Sequence, residues 1–98
     1  MEIWSNEAEQ SVIGALMLDD QAYELVAETG LSVSDFHSSH HATIYKAVSD
    51  LARKGKEIDV VTVAEMLEDR RELDAIGGAG YLSRLVDIVP SIDNACRS

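Results

Sequence analysis

The fold is decided by residues 41–55, which read HATIYKAVSDLARKG. Apolar side chains recur in this stretch every three or four residues, which is the spacing of one face of an α-helix. Gly55 follows the last of them, and glycine commonly ends a helix. The stretch therefore predicts an amphipathic helix with one continuous stripe, formed by His41, Ile44, Tyr45, Val48, Leu51 and Ala52.

Two helices are predicted before this one. Asn6 is a suitable N-cap for the first helix, and Glu9, three residues later, would complete a capping box. The second helix follows the pair Asp19-Asp20, and Gly30 stops it. Its apolar side is predicted to consist of Ala22, Tyr23, Leu25 and Val26.

Residues 58–63, which read IDVVTV, are the one β-like run of the sequence. Either Asp59 or Thr62 could instead cap a helix, because both residue types favour that position. Ala64, Met66 and Leu67 continue the run in helical register. An isolated strand would have no partner in this chain, so a fourth helix is predicted here.

A fifth helix is predicted to begin after Gly78 and to end at Pro90, because the residue before a proline avoids the helical region. Ser91 would cap a further helix, so residues 91–98 are interpreted as the start of a truncated helix. A helix this short is marginal alone. It should therefore fray or associate with another copy of the chain through its apolar side, formed by Ile92, Ala95 and Cys96.

The pattern as a whole predicts an all-α domain, a compact orthogonal bundle of about five to six short helices. The connecting segments 31–36 and 70–78 carry apolar residues that should reach the same core. One cluster is expected to gather the apolar side chains of three helices, namely Ile44, Tyr45, Val48, Leu51, Val63, Leu67, Tyr81, Leu82 and Leu85.

The charge balance limits the partners that the chain can have. Eighteen acidic residues against eight basic ones give a net charge of −10. Duplex DNA carries about one phosphate charge per ~1.7 Å, so its binding requires a dense basic face. Arg53, Lys54 and Lys56 do form a cluster, but it lies at a predicted helix end, where cations complement the helix dipole. We therefore expect no direct binding of nucleic acid.

The sequence carries no sign of a membrane segment or of secretion. No apolar run approaches the ~20 residues that a membrane span needs, and the first residues lack the basic start of a signal peptide. Cys96 is the sole cysteine, so an internal disulfide is impossible. The cytoplasm is the expected compartment.

The one glycine-rich segment is Gly77-Gly78-Ala79-Gly80. A functional interpretation places a phosphate group on the amides at the start of the fifth helix. The alternative is a tight turn in which glycines adopt positive φ. No lysine follows, and Asp74 and Asp87 would repel an anion, so the turn is favoured. The sequence also contains no Gly-Lys-Ser/Thr phosphate loop, so no cofactor is expected.

Three histidines, His37, His40 and His41, form the one metal-like cluster, and Asp35 could add an oxygen ligand. A zinc site needs three or four ligands, and Cys96 is remote in sequence. The alternative makes His41 a hydrogen-bonded core residue and leaves the other two in solvent. This alternative is favoured. Because no nucleophile–base arrangement can be argued either, neither a metal site nor an enzyme activity is expected.

Several ordered segments resemble the N-terminal domain of DnaB-type replicative DNA helicases. The first reads NEAEQSVIGALMLD, over residues 6–19. Further matches follow in order along the chain to residue 95. They are Asp35-Phe36, His41, Ile44-Tyr45, Ile58-Asp59, Val61-Thr62-Val63, Leu73-Asp74, Ile76-Gly77-Gly78, Tyr81-Leu82, Leu85, Pro90-Ser91 and Asn94-Ala95.

The resemblance implies a non-catalytic collar that forms a ring of six copies and receives primase and, in some systems, a helicase loader. A helical hairpin and an ATPase motor using ATP and Mg²⁺ would follow residue 98. A free-standing helical adaptor that uses the same module is the competing interpretation. The family motif residues would be scaffold rather than catalytic groups, namely Glu9, Gly14, Phe36, His41, Asp59, Thr62, Gly77, Gly78, Tyr81 and Leu82.

Overall fold

The computed structural model describes the backbone of residues 6–18 and 21–97, and the side chains of residues 8–18 and 21–87. Within these residues it contains helices and no strand, which confirms the all-α prediction. No helix there is long and apolar enough to cross a membrane. The described part of the chain has two short 3₁₀ turns, at 33–35 and 74–76, and five α-helices, which are α1 (Asn6–Leu18), α2 (Gln21–Glu28), α3 (Ser39–Arg53), α4 (Val60–Asp69) and α5 (Gly78–Arg97).

One hydrophobic core lies between α1, α3, α4 and α5. Helix α1 packs most extensively against α5, and α3 contacts α1, α4 and both 3₁₀ turns. The nine residues predicted for the core all belong to it or pack against it, which confirms the prediction, although Tyr81 is only half-buried. Other core members come from α1, α3 and the connections, namely Ile13, Leu16, Met17, Phe36, Ala47, Ile58 and Ile76.

The β-like run at residues 58–63 is helical, as predicted, and its capping is now clear. The Asp59 carboxylate accepts a hydrogen bond from the Thr62 amide at 2.8 Å, and the Asp59 amide donates to the Thr62 hydroxyl at 2.9 Å. These two bonds form a reciprocal capping box. Of the two cap candidates, Asp59 is therefore the N-cap of α4 and Thr62 is its partner.

The glycine-rich segment forms a turn that leads into α5. Gly77 and Gly78 both have positive φ, at 105° and 78°. A Cβ at Gly77 would lie 3.0 Å from the Tyr81 Cβ, so this position needs glycine for two reasons. The two amides donate to the carbonyls of Asp74 and Leu73. Because these amides are already bonded, the turn does not present them to a phosphate group.

Helices α3 and α4 end in the same hydrogen-bonding pattern but with different residues. At the end of α3, Gly55 has a φ of 71° and the Lys56 amide donates to the Leu51 carbonyl at 3.0 Å. At the end of α4, Arg71 has a φ of 59° and the Glu72 amide donates to the Leu67 carbonyl at 2.8 Å. Both ends are Schellman motifs, and the second one places a non-glycine residue in the left-handed region.

Two predictions about apolar residues and helix ends were wrong. Leu25 is 67% exposed, because Ala22 and Val26 face the body and Leu25 is turned about 100° away from Val26. Helix α5 continues past Pro90 to Arg97, so Pro90 does not end it and no separate helix begins at Ser91. A proline removes one backbone donor and bends a helix, but it need not terminate it.

Candidate functional site

A buried group of polar side chains joins α1, α3 and α5. Glu9 of α1 and His41 of α3 both have no solvent exposure. The Glu9 Oε1 atom lies 2.8 Å from the His41 Nδ1 atom. Buried charged residues are rare unless they are paired. The other polar atoms of both side chains are therefore also expected to have hydrogen-bond partners. We refer to Glu9, His41 and Tyr81 together as the polar junction.

The Glu9 carboxylate also binds the backbone at the beginning of α3. Its Oε2 atom accepts a hydrogen bond from the His37 amide at 2.6 Å, and its Oε1 atom accepts one from the Ser38 amide at 3.3 Å. Ser38 is the N-cap residue of α3. A carboxylate at a helix N-terminus complements the helix dipole, so Glu9 caps α3 from another helix. The capping box predicted for Glu9 also needs the side chain of Asn6, and the structure describes only the backbone of that residue.

Tyr81 of α5 completes the polar junction. Its hydroxyl lies 2.5 Å from the His41 Nε2 atom, and the Gln10 side-chain amide donates to the same hydroxyl at 3.5 Å. The rings of His41 and Tyr81 have centroids 5.9 Å apart and planes only 15° apart. The two rings are therefore nearly parallel. When Nδ1–H of His41 donates to the Glu9 carboxylate, Nε2 is free to accept from the Tyr81 hydroxyl.

The pKa of Glu9 reflects two opposing effects. Burial raises the pKa of Glu9, because it disfavours the charged carboxylate. The hydrogen bond from His41 and those from the amides of His37 and Ser38 lower it. The hydrogen bonds outweigh burial, so the pKa of Glu9 lies below its ordinary value. The polar junction therefore holds a carboxylate at neutral pH.

The chemistry available to the polar junction is limited by its position. A carboxylate, an imidazole and a hydroxyl in series also occur in hydrolytic triads, where the hydroxyl faces an open substrate site. Here the hydroxyl belongs to a half-buried tyrosine, and Glu9 and His41 are closed off from solvent. Every bond of the series links one helix to another. The arrangement fixes three helices relative to each other.

The three histidines do not converge. His41 is buried and hydrogen-bonded, whereas the side chains of His37 and His40 are exposed. This placement matches the interpretation that separated His41 from the other two. Among the residues whose side chains are described, no group of three histidine, cysteine or acidic side chains has the geometry to hold a metal ion.

Three other family motif residues, Gly14, Phe36 and Leu82, are buried. Gly14 is buried in α1, the helix that packs most closely against α5. Phe36 is buried with its ring centroid 5.1 Å from that of Tyr45, and Leu82 has no solvent exposure. The candidate self-association residues Ile92, Ala95 and Cys96 have side chains outside the described residues.

Sequence reasoning did not connect Glu9 with α3, although a signal was present. Glu9 lies four and seven positions before Ile13 and Leu16, so it occupies the apolar face of its helix. His41 has the same relation to Tyr45 and Val48 on α3. An acidic residue and a histidine that interrupt two apolar stripes could have been predicted to meet in the core.

Comparison with known proteins agrees with this architecture. Residues 2–97 match the model of the DnaB-like helicase N terminal domain family. The chain is 41% identical over 90 residues to the replicative DNA helicase DnaB of Buchnera aphidicola subsp. Baizongia pistaciae, covering 92% of the chain and 19% of that protein. It is 43% identical over 88 residues to the DnaB of Mycobacterium leprae, covering 90% of the chain and 14% of that protein.

A solved structure gives the same result in three dimensions. The crystal structure of the N-terminal domain of DnaB helicase from Mycobacterium tuberculosis superposes with a TM-score of 0.83 at 39% sequence identity. The similarity covers 89% of this chain and 60% of that one. The chain thus spans at most about a fifth of the full-length relatives named above.

Proposed function

We propose that this chain is the non-catalytic collar of a replicative DNA helicase, because it belongs to the family of DnaB-like helicase N-terminal domains. The observation that carries the proposal is the agreement of sequence and fold over about nine-tenths of the chain with an N-terminal domain of that family. In this proposal the domain acts in DNA replication through protein contacts.

The polar junction supports a scaffold role. Its three side chains form bonds between helices, and the net charge of −10 opposes binding to a nucleic acid backbone. We therefore assign ATP and Mg²⁺, and the DNA-binding surfaces, to a motor domain encoded after residue 98. The cytoplasm, where a replicating chromosome is found in bacteria, is the proposed location.

The proposed partners are other copies of the chain, primase and, in some systems, a helicase loader. The full-length protein would be a homohexamer. We propose that the far end of α5, with Ile92, Ala95 and Cys96, contributes to self-association together with the segments that follow it. A helix end with an apolar side gains stability when a second copy covers it.

Sedimentation of two lengths of the protein tests the assembly part of the proposal. We expect residues 1–98 to sediment as a monomer or a weak dimer, and a longer chain that includes the following segments to associate more strongly. A stable hexamer of residues 1–98 would assign ring assembly to the globular body instead of the end of α5.

Titration with primase tests the docking part. We expect the primase encoded in the same genome to bind the full-length protein, and residues 1–98 to show neither ATP hydrolysis nor duplex binding at physiological salt. Micromolar affinity of residues 1–98 for ATP or DNA would contradict the collar function. A gene without a Gly-Lys-Thr phosphate loop after residue 98 would favour a free-standing adaptor.

A further inference from the structure

Helix α2 differs from the other described helices in how little of it is buried. None of its eight residues is buried, whereas α1, α3, α4 and α5 each bury at least two side chains. Ala22, Tyr23 and Val26 pack half-buried against the core. Because an isolated helix shorter than about 12 residues is marginal in water, α2 depends on these contacts for its helical form.

The opposite side of α2 borders an open space. A cleft of about 540 Å³ separates Tyr23 and Glu24 of α2 from the end of α3 and the loop that follows it. Leu25, the largest aliphatic side chain of α2, is 67% exposed and adds little to the packing. Helix α2 is therefore packed on one side, and the cleft leaves room for it to move.

The segments on both sides of α2 are fixed to the core. Met17, near the end of α1, is only 3% exposed. After α2, the Tyr45 hydroxyl donates a hydrogen bond to the Leu31 carbonyl at 3.2 Å. Gly30 lies between α2 and this anchored residue, with a φ of 83° and open space where a Cβ would be. The chain can therefore change direction at Gly30 without displacing Leu31.

Helix α2 covers the ring of Tyr45, which belongs to α3. The ring centroids of Tyr23 and Tyr45 are 6.3 Å apart, and Tyr45 is only 3% exposed. Burial raises the pKa of Tyr45 above its ordinary value, and the neighbouring Tyr23 adds to this effect. Withdrawal of α2 would remove the Tyr23 ring and bring one side of Tyr45 into contact with water.

We propose that α2 is a hinged lid, which opens as one unit about Gly30 and uncovers Tyr45 while the other four helices stay folded. Opening separates only half-buried side chains, so it requires less free energy than unfolding of the whole domain. The polar junction joins α1, α3 and α5, and it stays intact in the open form. The lid does not depend on the collar function.

Hydrogen exchange of the 98-residue chain, followed by NMR, tests the lid directly. The amides of Val26 and Ala27 report on α2, and those of Val48 and Leu51 report on the buried side of α3. We expect the α2 amides to share one degree of protection and to exchange at least about a hundredfold faster than the α3 amides. Equal protection of α2 and α3 would overturn the proposal.

Two truncations within α2 test which contact holds the lid closed. Tyr23→Ala removes the ring that lies against Tyr45, and we expect it to accelerate exchange of the α2 amides about tenfold. Leu25→Ala is the matched control, because an exposed side chain is truncated in the same helix, and it should change these rates less than about twofold. Equal effects of the two truncations would contradict a lid held by Tyr23.

Two glycine substitutions separate opening of the lid from unfolding of the domain. Gly30 and Gly55 both have positive φ, and a Cβ at either would meet nothing within 4 Å, so alanine strains each turn to a similar degree. We expect Gly30→Ala to accelerate the α2 amides about fivefold or more.

Gly55→Ala should accelerate the α3 amides but leave the α2 amides within about twofold of their original rates. Its strain lies at the end of α3, which stays folded whether the lid is closed or open. Acceleration of both helices by the same factor in Gly55→Ala would overturn the proposal, since α2 would then open only when the whole domain unfolds.

Discussion

The core and the polar junction both join α1, α3 and α5, but by different means. In the core, Leu82 of α5 and Leu16 of α1 contribute apolar area, which stabilises in proportion to the surface removed from water and has little directional preference. In the polar junction, Glu9, His41 and Tyr81 form bonds with narrow limits of distance and angle.

This difference indicates a division of roles. Apolar side chains can exchange neighbours at modest cost when the total volume is kept. The polar junction is satisfied in one arrangement, because a shift of α1 along α3 would leave a buried carboxylate and two amides without partners. We infer that the core supplies most of the stability and that the polar junction fixes how the helices are aligned.

The largest expected effect belongs to the core. Leu82 has no solvent exposure, so Leu82→Ala removes buried methyl groups and leaves a cavity. The free energy of unfolding should fall by roughly 2–5 kcal/mol, measured by chemical denaturation. Leu25→Ala is the matched control. Because Leu25 is 67% exposed, its truncation should change stability by less than about 0.5 kcal/mol. Equal effects at both positions would contradict the assigned core.

Glu9→Gln should have the next largest effect. The amide keeps the shape of the carboxylate but replaces one acceptor oxygen with a donor, so it cannot accept from His41 and from both amides of the α3 start. A loss of about 1–3 kcal/mol is expected on denaturation. Glu24→Gln, at an exposed position of α2, should be nearly neutral. A neutral Glu9→Gln would show that the polar junction does not contribute.

Acid should remove part of the stability that Glu9 contributes to the folded chain. The pKa of Glu9 is lower in the folded chain than its ordinary value of 4.5, because the hydrogen bonds to its carboxylate outweigh burial. The folded chain therefore binds fewer protons than the unfolded one near this pH. The contribution of Glu9 is complete well above pH 4.5 and is lost as the pH falls through its folded pKa.

Denaturation at a series of pH values measures this contribution by comparison with Glu9→Gln. Asp50 also has a lowered pKa, through its hydrogen bonds to Arg70 and Arg53, so both proteins should lose stability in acid. The unsubstituted chain should lose more. If the free energy of unfolding fell equally with pH in both proteins, the Glu9 carboxylate would not be stabilised by the fold.

Tyr81→Phe should have the smallest effect of the series. It removes only the hydroxyl that meets His41 and Gln10, and Tyr81 is half-buried, so water can replace that hydroxyl. We expect a loss of about 0.5–1.5 kcal/mol by denaturation. A loss as large as that of Leu82→Ala would make the polar junction as important for stability as the core.

Periodicity predicted α1, α3 and the class of the fold, because apolar spacing reports which face of a helix is buried. It also placed His41 in the core. It could not predict that Leu25 is exposed, since a helix of eight residues offers several faces and only packing selects one. Nor could it predict that α5 passes through Pro90, because a proline disfavours a helix locally without excluding one.

The same limit explains why the polar junction was not predicted from the sequence. Each of its members was found separately, as a cap, a core histidine and a scaffold tyrosine. Their contact depends on sequence separations of 32 and 40 residues, which local patterns do not encode. Capping at α4 was predictable down to the choice between Asp59 and Thr62, because its partners lie three residues apart.

The capping of α3 by a residue from α1 also has a consequence for local opening. The His37 and Ser38 amides bond to a side chain 28 and 29 positions earlier in the chain, so no neighbouring residue holds them. Their exchange with deuterium requires the Glu9 carboxylate to withdraw, whereas amides inside α3 require the helix itself to unfold. These two amides therefore report the separation of α1 from α3 before either helix is lost.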